Sequence, residues 1–191
     1  MFKLGTRLNA PKKEIENVNE AAHYQLEKEG VKSYPNPAAL SVIKNKILQK
    51  QLYKQHQIPT PNFIITQNKK DLSNHQDFLP AVHKIAEGGY DGKGVVSVNE
   101  PQDFTNGFDA PAILEKKIKI VKEISIIIAS NQKQTVIYPA VHMVFDTDLN
   151  MLDYQLSPAE LDNKVLWKAE AIALTVVRQL NSPGIFAVEM F

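Results

Sequence analysis

Half of the chain's eight glycines, Gly88, Gly89, Gly92 and Gly94, fall within the single short stretch GGYDGKG. The stretch is flanked by two strand candidates, Ala81–Ile85 and Val95–Val98, rich in β-branched residues. Glycine lacks a Cβ, so backbone N–H groups in such a turn can come close to phosphate oxygens. Lys84, near the end of the first strand, adds an ammonium, with three residues between it and the turn. The spacing is neither the GxxxxGK[ST] of a P-loop nor the GxGxxG of a dinucleotide fold. On glycine spacing alone a phosphate cradle and a plain hairpin tip are equally compatible.

Charge makes local clusters important. Lys and Arg number 22 against 21 Asp and Glu, a net charge of +1, so no global field favours nucleic acid or an anionic membrane. An anionic ligand must be held by a local group of cations. The absence of cysteine excludes disulfides, cysteine metal sites and a thiol nucleophile. No apolar run has the length of a membrane span, and MFKLGTRLNAPKK lacks the apolar core of a signal peptide. These features read as a globular cytoplasmic protein.

Around the glycine stretch the chain alternates helical and extended patterns. Val18–Lys28 suits a helix that stops at Gly30, and Ala38–His56 carries an apolar stripe through Leu40, Ile43, Ile47, Leu48 and Leu52. Phe63–Thr66, Ala112–Glu115, Glu123–Ala129 and Thr135–Val141 read as strands. Ser157, Pro158 and Glu160 resemble a capping box opening a helix that runs to Leu180. Asn181–Gly184 stops it, and Ile185–Phe191 reads as an apolar strand. The fold class is α+β, with a β-rich insert between helical elements.

Among charged residues, Glu115 closes a strand and Glu123 opens another, where carboxylates either take ribose hydroxyls or a metal, or stand solvated among Lys116, Lys117, Lys119 and Lys122. Glu189 lies inside IFAVEMF, and period-two alternation puts it on one face with Ala187 and Phe191, away from Val188 and Met190. An unpaired buried carboxylate is costly, so it is expected to be paired, at a cleft or on a cation such as Mg²⁺. Lys46 and Lys50 share a helix face, either touching phosphate or solvated. His142 has no HxH or HxxxH partner and reads as structural or as a hydrogen-bonding group.

Taken in order, EIENV, SYPNPAALSVIKNKILQKQLYKQHQIPTP, LPAVHKIAEGGYDGKG, ILEKKIKIVKEISIIIA, YPAVHM and AVEMF resemble the 5-(carboxyamino)imidazole ribonucleotide synthase family of the ATP-grasp superfamily. The resemblance runs from Glu14 to Phe191. It implies an ATP-grasp fold, partial, in which a β-rich lid near residues 77–140 covers an α/β base. Residues 1–45 would be the remnant of a preceding domain and linker, and 46–191 the ATP-grasp domain. The activity implied is ATP-dependent carboxylation of aminoimidazole ribonucleotide with bicarbonate, through carboxyphosphate, in purine biosynthesis.

Carried over by position, Lys46 and Lys84 would hold ATP phosphates under the loop of Gly88, Gly89, Gly92, Lys93 and Gly94. Glu115, Lys116, Lys117 and Ile118 would face the adenine, Glu123 would take ribose hydroxyls, and His142 would join the cofactor-binding group. Glu189 would bind Mg²⁺. Tyr90 and Asp91, with Glu14 or Glu16, would contact the aminoimidazole nucleotide, and Asp91 with Lys84 would act in catalysis. The family's opening glycine-rich turn is absent, and Phe191 precedes its second metal carboxylate. The chain is therefore expected to be a fragment limited to ATP binding, with an exposed surface favouring a homodimer. Another ATP-grasp carboxylate–amine ligase and a non-catalytic nucleotide- or partner-binding remnant are the alternatives.

Overall fold

The structure is a computed structural model that describes residues 18–89, 93–131, 133–146 and 151–191. It divides into two compact units. One gathers Asn45–Lys122 with Val144–Tyr154, and the other Glu123–Met143 and Gln155–Phe191 with the described residues up to Lys44. Helices and antiparallel sheets form both, as an α+β chain requires.

In the unit around Asn45–Lys122, strands β1 (Phe63–Thr66), β2 (Ala81–Ile85), β3 (Val95–Val98) and β4 (Ala112–Lys116) form an antiparallel sheet ordered β1-β4-β2-β3. Register puts Ile64, Thr66, Ala81, His83, Leu114 and Lys116 on one face. There Leu72, Ala81 and Leu114 are fully buried with Ile64, Phe78, Leu79 and Phe104 packed around them. Leu72 and Phe78 come from one 3-10 segment, Lys69–Phe78, and Phe104 from another, Pro101–Asn106. His83, fully buried, interacts through Nε2 with Thr66 Oγ1 at 2.9 Å and accepts at Nδ1 from the Phe108 N–H at 3.3 Å. An acceptor at Nδ1 leaves Nε2 as the protonated donor of a neutral ring. Burial pushes its pKa down, in the same direction.

The other face carries Phe63, Val82, Lys84, Ile113 and Glu115. Helix α3 (Lys46–Gln55) packs against β4. This helix is not continuous with the one before it. The sequence suggests a single helix from Ala38 to His56, but the chain forms α2 (Pro37–Lys44) and α3 with a break at Asn45. Asn45 takes extended φ/ψ and its side chain accepts from the Ile47 and Leu48 N–H groups, starting a new helix. The apolar stripe passes through both helices, so periodicity alone hides the break.

The other unit is built on β5 (Glu123–Ser130), which pairs with β9 (Gly184–Met190) along one edge and with β6 (Thr135–Ile137) and β7 (Val141–Asp146) along the other. Strand β8 (Met151–Leu156) follows β7 in the sheet, and the Val144–Tyr154 portion of these two strands counts with the Asn45–Lys122 unit. Ile124, Ile126, Ile128, Phe186 and Val188 form the buried face, against which helix α4 (Asn163–Leu180) packs through Ala169, Ala173, Val176 and Val177. Helices α1 (Glu20–Lys28) and α2 join this unit, with Lys44 paired to Glu20 at 2.9 Å.

Two further expectations change. Thr135–Val141 is two strands, because the chain leaves the ladder at Pro139 and Ala140, just after the Tyr138 N–H donates to the Ile127 carbonyl at 2.9 Å. The long helix starts at Asn163 with Asp162 accepting from the Lys164 N–H, and the Ser157 capping box does not form. Strand β8 and the 3-10 segments carry no clear pattern in sequence. Among the described residues no helix is long and apolar enough to cross a membrane.

Candidate functional site

Three charged residues converge on the α3-covered face of the four-stranded sheet. Glu115, on the central strand β4, is only 4% exposed. Its Oε1 accepts from Lys84 Nζ of β2 at 2.8 Å, and its Oε2 pairs with Lys50 Nζ of α3. Lys50 also donates to Thr60 Oγ1, and its ammonium lies 5.9 Å from the centre of the Phe63 ring. Both Glu115 oxygens are thus occupied, which rules out the solvated-charge reading of this residue.

The electrostatics follow from burial and pairing. For Glu115 burial alone pushes the pKa up, but the Lys84 charge and the hydrogen bonds from Lys50 and Lys84 outweigh it and hold the carboxyl below its usual range. Lys50 moves below its usual range because burial outweighs the attraction of Glu115, with Lys84 pushing the same way. The trio carries one negative and two positive groups. Its more accessible cation is Lys84, with a side chain 24% exposed against 9% for Lys50.

Lys84 leads directly into the glycine turn. The Ile85 N–H donates to the Gly94 carbonyl at 2.9 Å, closing the foot of the loop. Gly94 has φ +84°, and a Cβ there would stand 2.8 Å from Gly89 Cα and 2.6 Å from Ile85 Cγ2. A Cβ on Gly89 would meet the Lys93 carbonyl oxygen at 2.9 Å. The two arms of the turn touch backbone to backbone, so glycine is needed at both positions. Gly88, at φ +78°, is exposed, as is Lys93.

The start of α3 is tied to the same loop. The Lys46 N–H donates to the Ala86 carbonyl at 2.9 Å, and Asn45 Nδ2 donates to Glu87 Oε1 at 2.7 Å. Lys46 therefore stands beside the loop foot, one helical turn before Lys50. Lys116 does not join the cluster through its side chain. Its ammonium lies on the opposite face, donating to the Phe78 and Leu79 carbonyls at 3.0 and 2.8 Å. Lys117 donates to Asn99 Oδ1 at 3.1 Å, and Ile118 is exposed.

Glu123, His142 and Glu189 belong to the β5 sheet. Glu189 faces Ser125 in register, and Glu123 lies two residues along β5 from Ser125, so the two carboxylates share a face as diagonal neighbours. Glu189 is exposed there with Ala187 and Phe191, while Phe186 and Val188 are buried, the alternation the sequence predicts. His142 pairs with Ile124 and so points to the opposite face. Among the described residues no group of three or more His, Cys, Asp and Glu is placed to hold a metal. Glu14, Glu16, Tyr90, Asp91 and Gly92 lie outside the described residues. Lys50 is the residue whose part the sequence understates. Its helical spacing from Lys46 is visible, but nothing in the sequence marks its burial against Glu115.

The matches to known proteins agree with this architecture. A family model described as the ATP-grasp domain matches residues 51–191. The chain is 31% identical over 165 residues to N5-carboxyaminoimidazole ribonucleotide synthase of Pseudomonas aeruginosa, covering 83% of this chain and 45% of that protein. The crystal structure of N5-carboxyaminoimidazole ribonucleotide synthetase from Thermotoga maritima superposes with a TM-score of 0.83 at 27% identity, covering 99% of this chain and 49% of that one. Carboxyaminoimidazole ribonucleotide synthase from Aspergillus clavatus, solved in complex with ATP, gives a TM-score of 0.90 at 25% identity, covering 99% and 51%. The chain thus spans about half the length of these relatives. With a matched model over most of its residues and the fold shared throughout, the chain belongs to the ATP-grasp family.

Proposed function

We propose that this chain is the ATP-binding part of an ATP-dependent carbon–nitrogen ligase that carboxylates aminoimidazole ribonucleotide with bicarbonate in purine biosynthesis. The observation that carries the proposal is the Lys84–Glu115 pair at the foot of a glycine turn, where a partly exposed ammonium stands beside backbone with little side-chain cover. Such a placement suits phosphate oxygens, because phosphoryl transfer depends on positioning and charge neutralisation. Lys46 beside Ala86 would add a second cation, and Glu123 would take ribose hydroxyls. The Glu115–Ile118 edge would meet the adenine through its backbone, since both Glu115 oxygens are already used. The names of the relatives support a carboxyaminoimidazole ribonucleotide product, with one relative solved with ATP and one with ADP and 5-aminoimidazole ribonucleotide.

Magnesium is part of the proposal. Glu189 is an exposed hard oxygen donor, diagonal to Glu123 on one sheet face, which suits an ion that takes one or two carboxylates plus phosphate oxygens. Bound there, Mg²⁺ would neutralise phosphate charge. The net charge of +1 speaks for small-molecule substrates over nucleic acid or an anionic membrane. A cytoplasmic location and self-association as a homodimer belong to the same proposal.

Calorimetric titration of the chain with ATP or ADP, with and without Mg²⁺, tests the reading. Binding is expected, weakened strongly by Lys84→Met, and absence of binding at millimolar nucleotide would sink it. Bicarbonate- and aminoimidazole-ribonucleotide-dependent ADP release, measured separately, tests the reaction itself.

A further inference from the structure

We propose that Lys50 is a positioning residue that, acting through Glu115, fixes where the Lys84 ammonium stands and leaves its charge available to a nucleotide phosphate. The proposal rests on the nucleotide-binding reading above. Lys50 cannot serve a ligand directly: its side chain is 9% exposed, its ammonium is taken by Glu115 and Thr60, and the Phe63 ring flanks it.

Its effect on Glu115 is specific. If Lys84 were the sole partner of Glu115, the pair would be neutral and the lysine charge would be spent on the carboxylate. With Lys50 holding Oε2, the trio keeps one net positive charge, and its accessible member is Lys84. Lys84 has three N–H donors and Glu115 Oε1 takes one of them, leaving the others for an anion. Lys50 also fixes the carboxylate in place, because Glu115 is held from the helix side by Oε2 and from the strand side by Oε1. Among the described residues, the charged groups paired with Glu115 are Lys50 from α3 and Lys84 from β2; its register neighbours Phe63 and Val82 are apolar.

The test compares wild type with Lys50→Met, Lys50→Arg and Thr60→Val in the full chain. Two readouts are used: the Glu115 carboxyl titration, followed by ¹³C NMR and assigned by its loss in Glu115→Gln, and ADP affinity by calorimetry. Thr60→Val keeps the lysine and removes only its hydroxyl partner, so it reports even where Lys50→Met folds poorly. In Lys50→Met the Glu115 midpoint should rise and ADP affinity should fall roughly tenfold, a usual coupling within one hydrogen-bonded network. Lys50→Arg, which keeps the charge, should recover most of both, and Thr60→Val should shift both in the Lys50→Met direction by less. A folded Lys50→Met with unchanged Glu115 titration and unchanged ADP affinity overturns the proposal. So does a loss that Lys50→Arg and Lys50→Met share equally, which would mark a merely structural side chain. Should wild type bind no ADP, the nucleotide reading fails on its own, and the Glu115 midpoint still decides whether Lys50 governs the carboxylate.

Discussion

Lys84 and Glu115 form a 2.8 Å ion pair although they are not register partners: Lys84 stands opposite Ile113 and Glu115 opposite Val82 on adjacent antiparallel strands. The contact is a diagonal across one sheet face, within reach only of long side chains. Lys50, arriving from a different element, closes the same carboxylate from above.

Glu115→Gln should therefore be costly. It removes the counter-charge of a buried ammonium, and breaking such a pair commonly costs about 3–5 kcal/mol. Urea denaturation at neutral pH measures it, and a loss below about 1 kcal/mol would mean that the cluster behaves as a surface pair.

Acid should expose the same carboxylate. Its folded-state pKa lies below the unfolded value of 4.5. As pH falls below that value the unfolded chain binds the proton first, so stability present at higher pH is lost through the folded pKa. Denaturation midpoints measured from neutral pH downwards should drop in this window, and more steeply in wild type than in Glu115→Gln.

His83 should act at milder pH. Burial lowers its folded pKa from 6.5, so between the two values the unfolded chain holds more protons. Its contribution is complete above pH 6.5 and declines as pH falls. His83→Gln should flatten the stability profile just below that pH; an unaltered slope would show that the ring is not held neutral.

Two glycines with the same backbone sign should respond differently to alanine. Gly30 and Gly94 have φ of +83° and +84°, but a Cβ at Gly30 meets nothing within 4 Å, while one at Gly94 meets backbone. Gly30→Ala should cost about 1–2 kcal/mol from the left-handed conformation alone, and Gly94→Ala clearly more. Thermal melts of the two variants decide it, and equal losses would contradict the close approach of the loop arms.

The sequence shows the sheet well and the cluster poorly. Phe63–Thr66, Ala81–Ile85 and Val95–Val98 form strands with the expected limits, because β-branched runs bounded by proline or glycine leave few alternatives. Pro139 was the available signal that Thr135–Val141 is two strands, since proline cannot donate to a ladder. Asn45 was a readable cap, but it stands inside an uninterrupted apolar stripe. Strand β8 is exposed throughout, so no buried face imprints a period on it. Lys50, Thr60, Lys84 and Glu115 are separated along the chain, and only folding shows that one carboxylate gathers them.

The cap at Asn45 has a mechanical side. The same residue that starts α3 holds Glu87 through its amide, and the next backbone N–H holds Ala86. The helix carrying Lys50 and the root of the glycine turn are thus riveted at one point. A pull on the turn is passed to the helix as a tug on its first residue, and a ligand that settles the turn also settles the lever on which Lys50 is mounted.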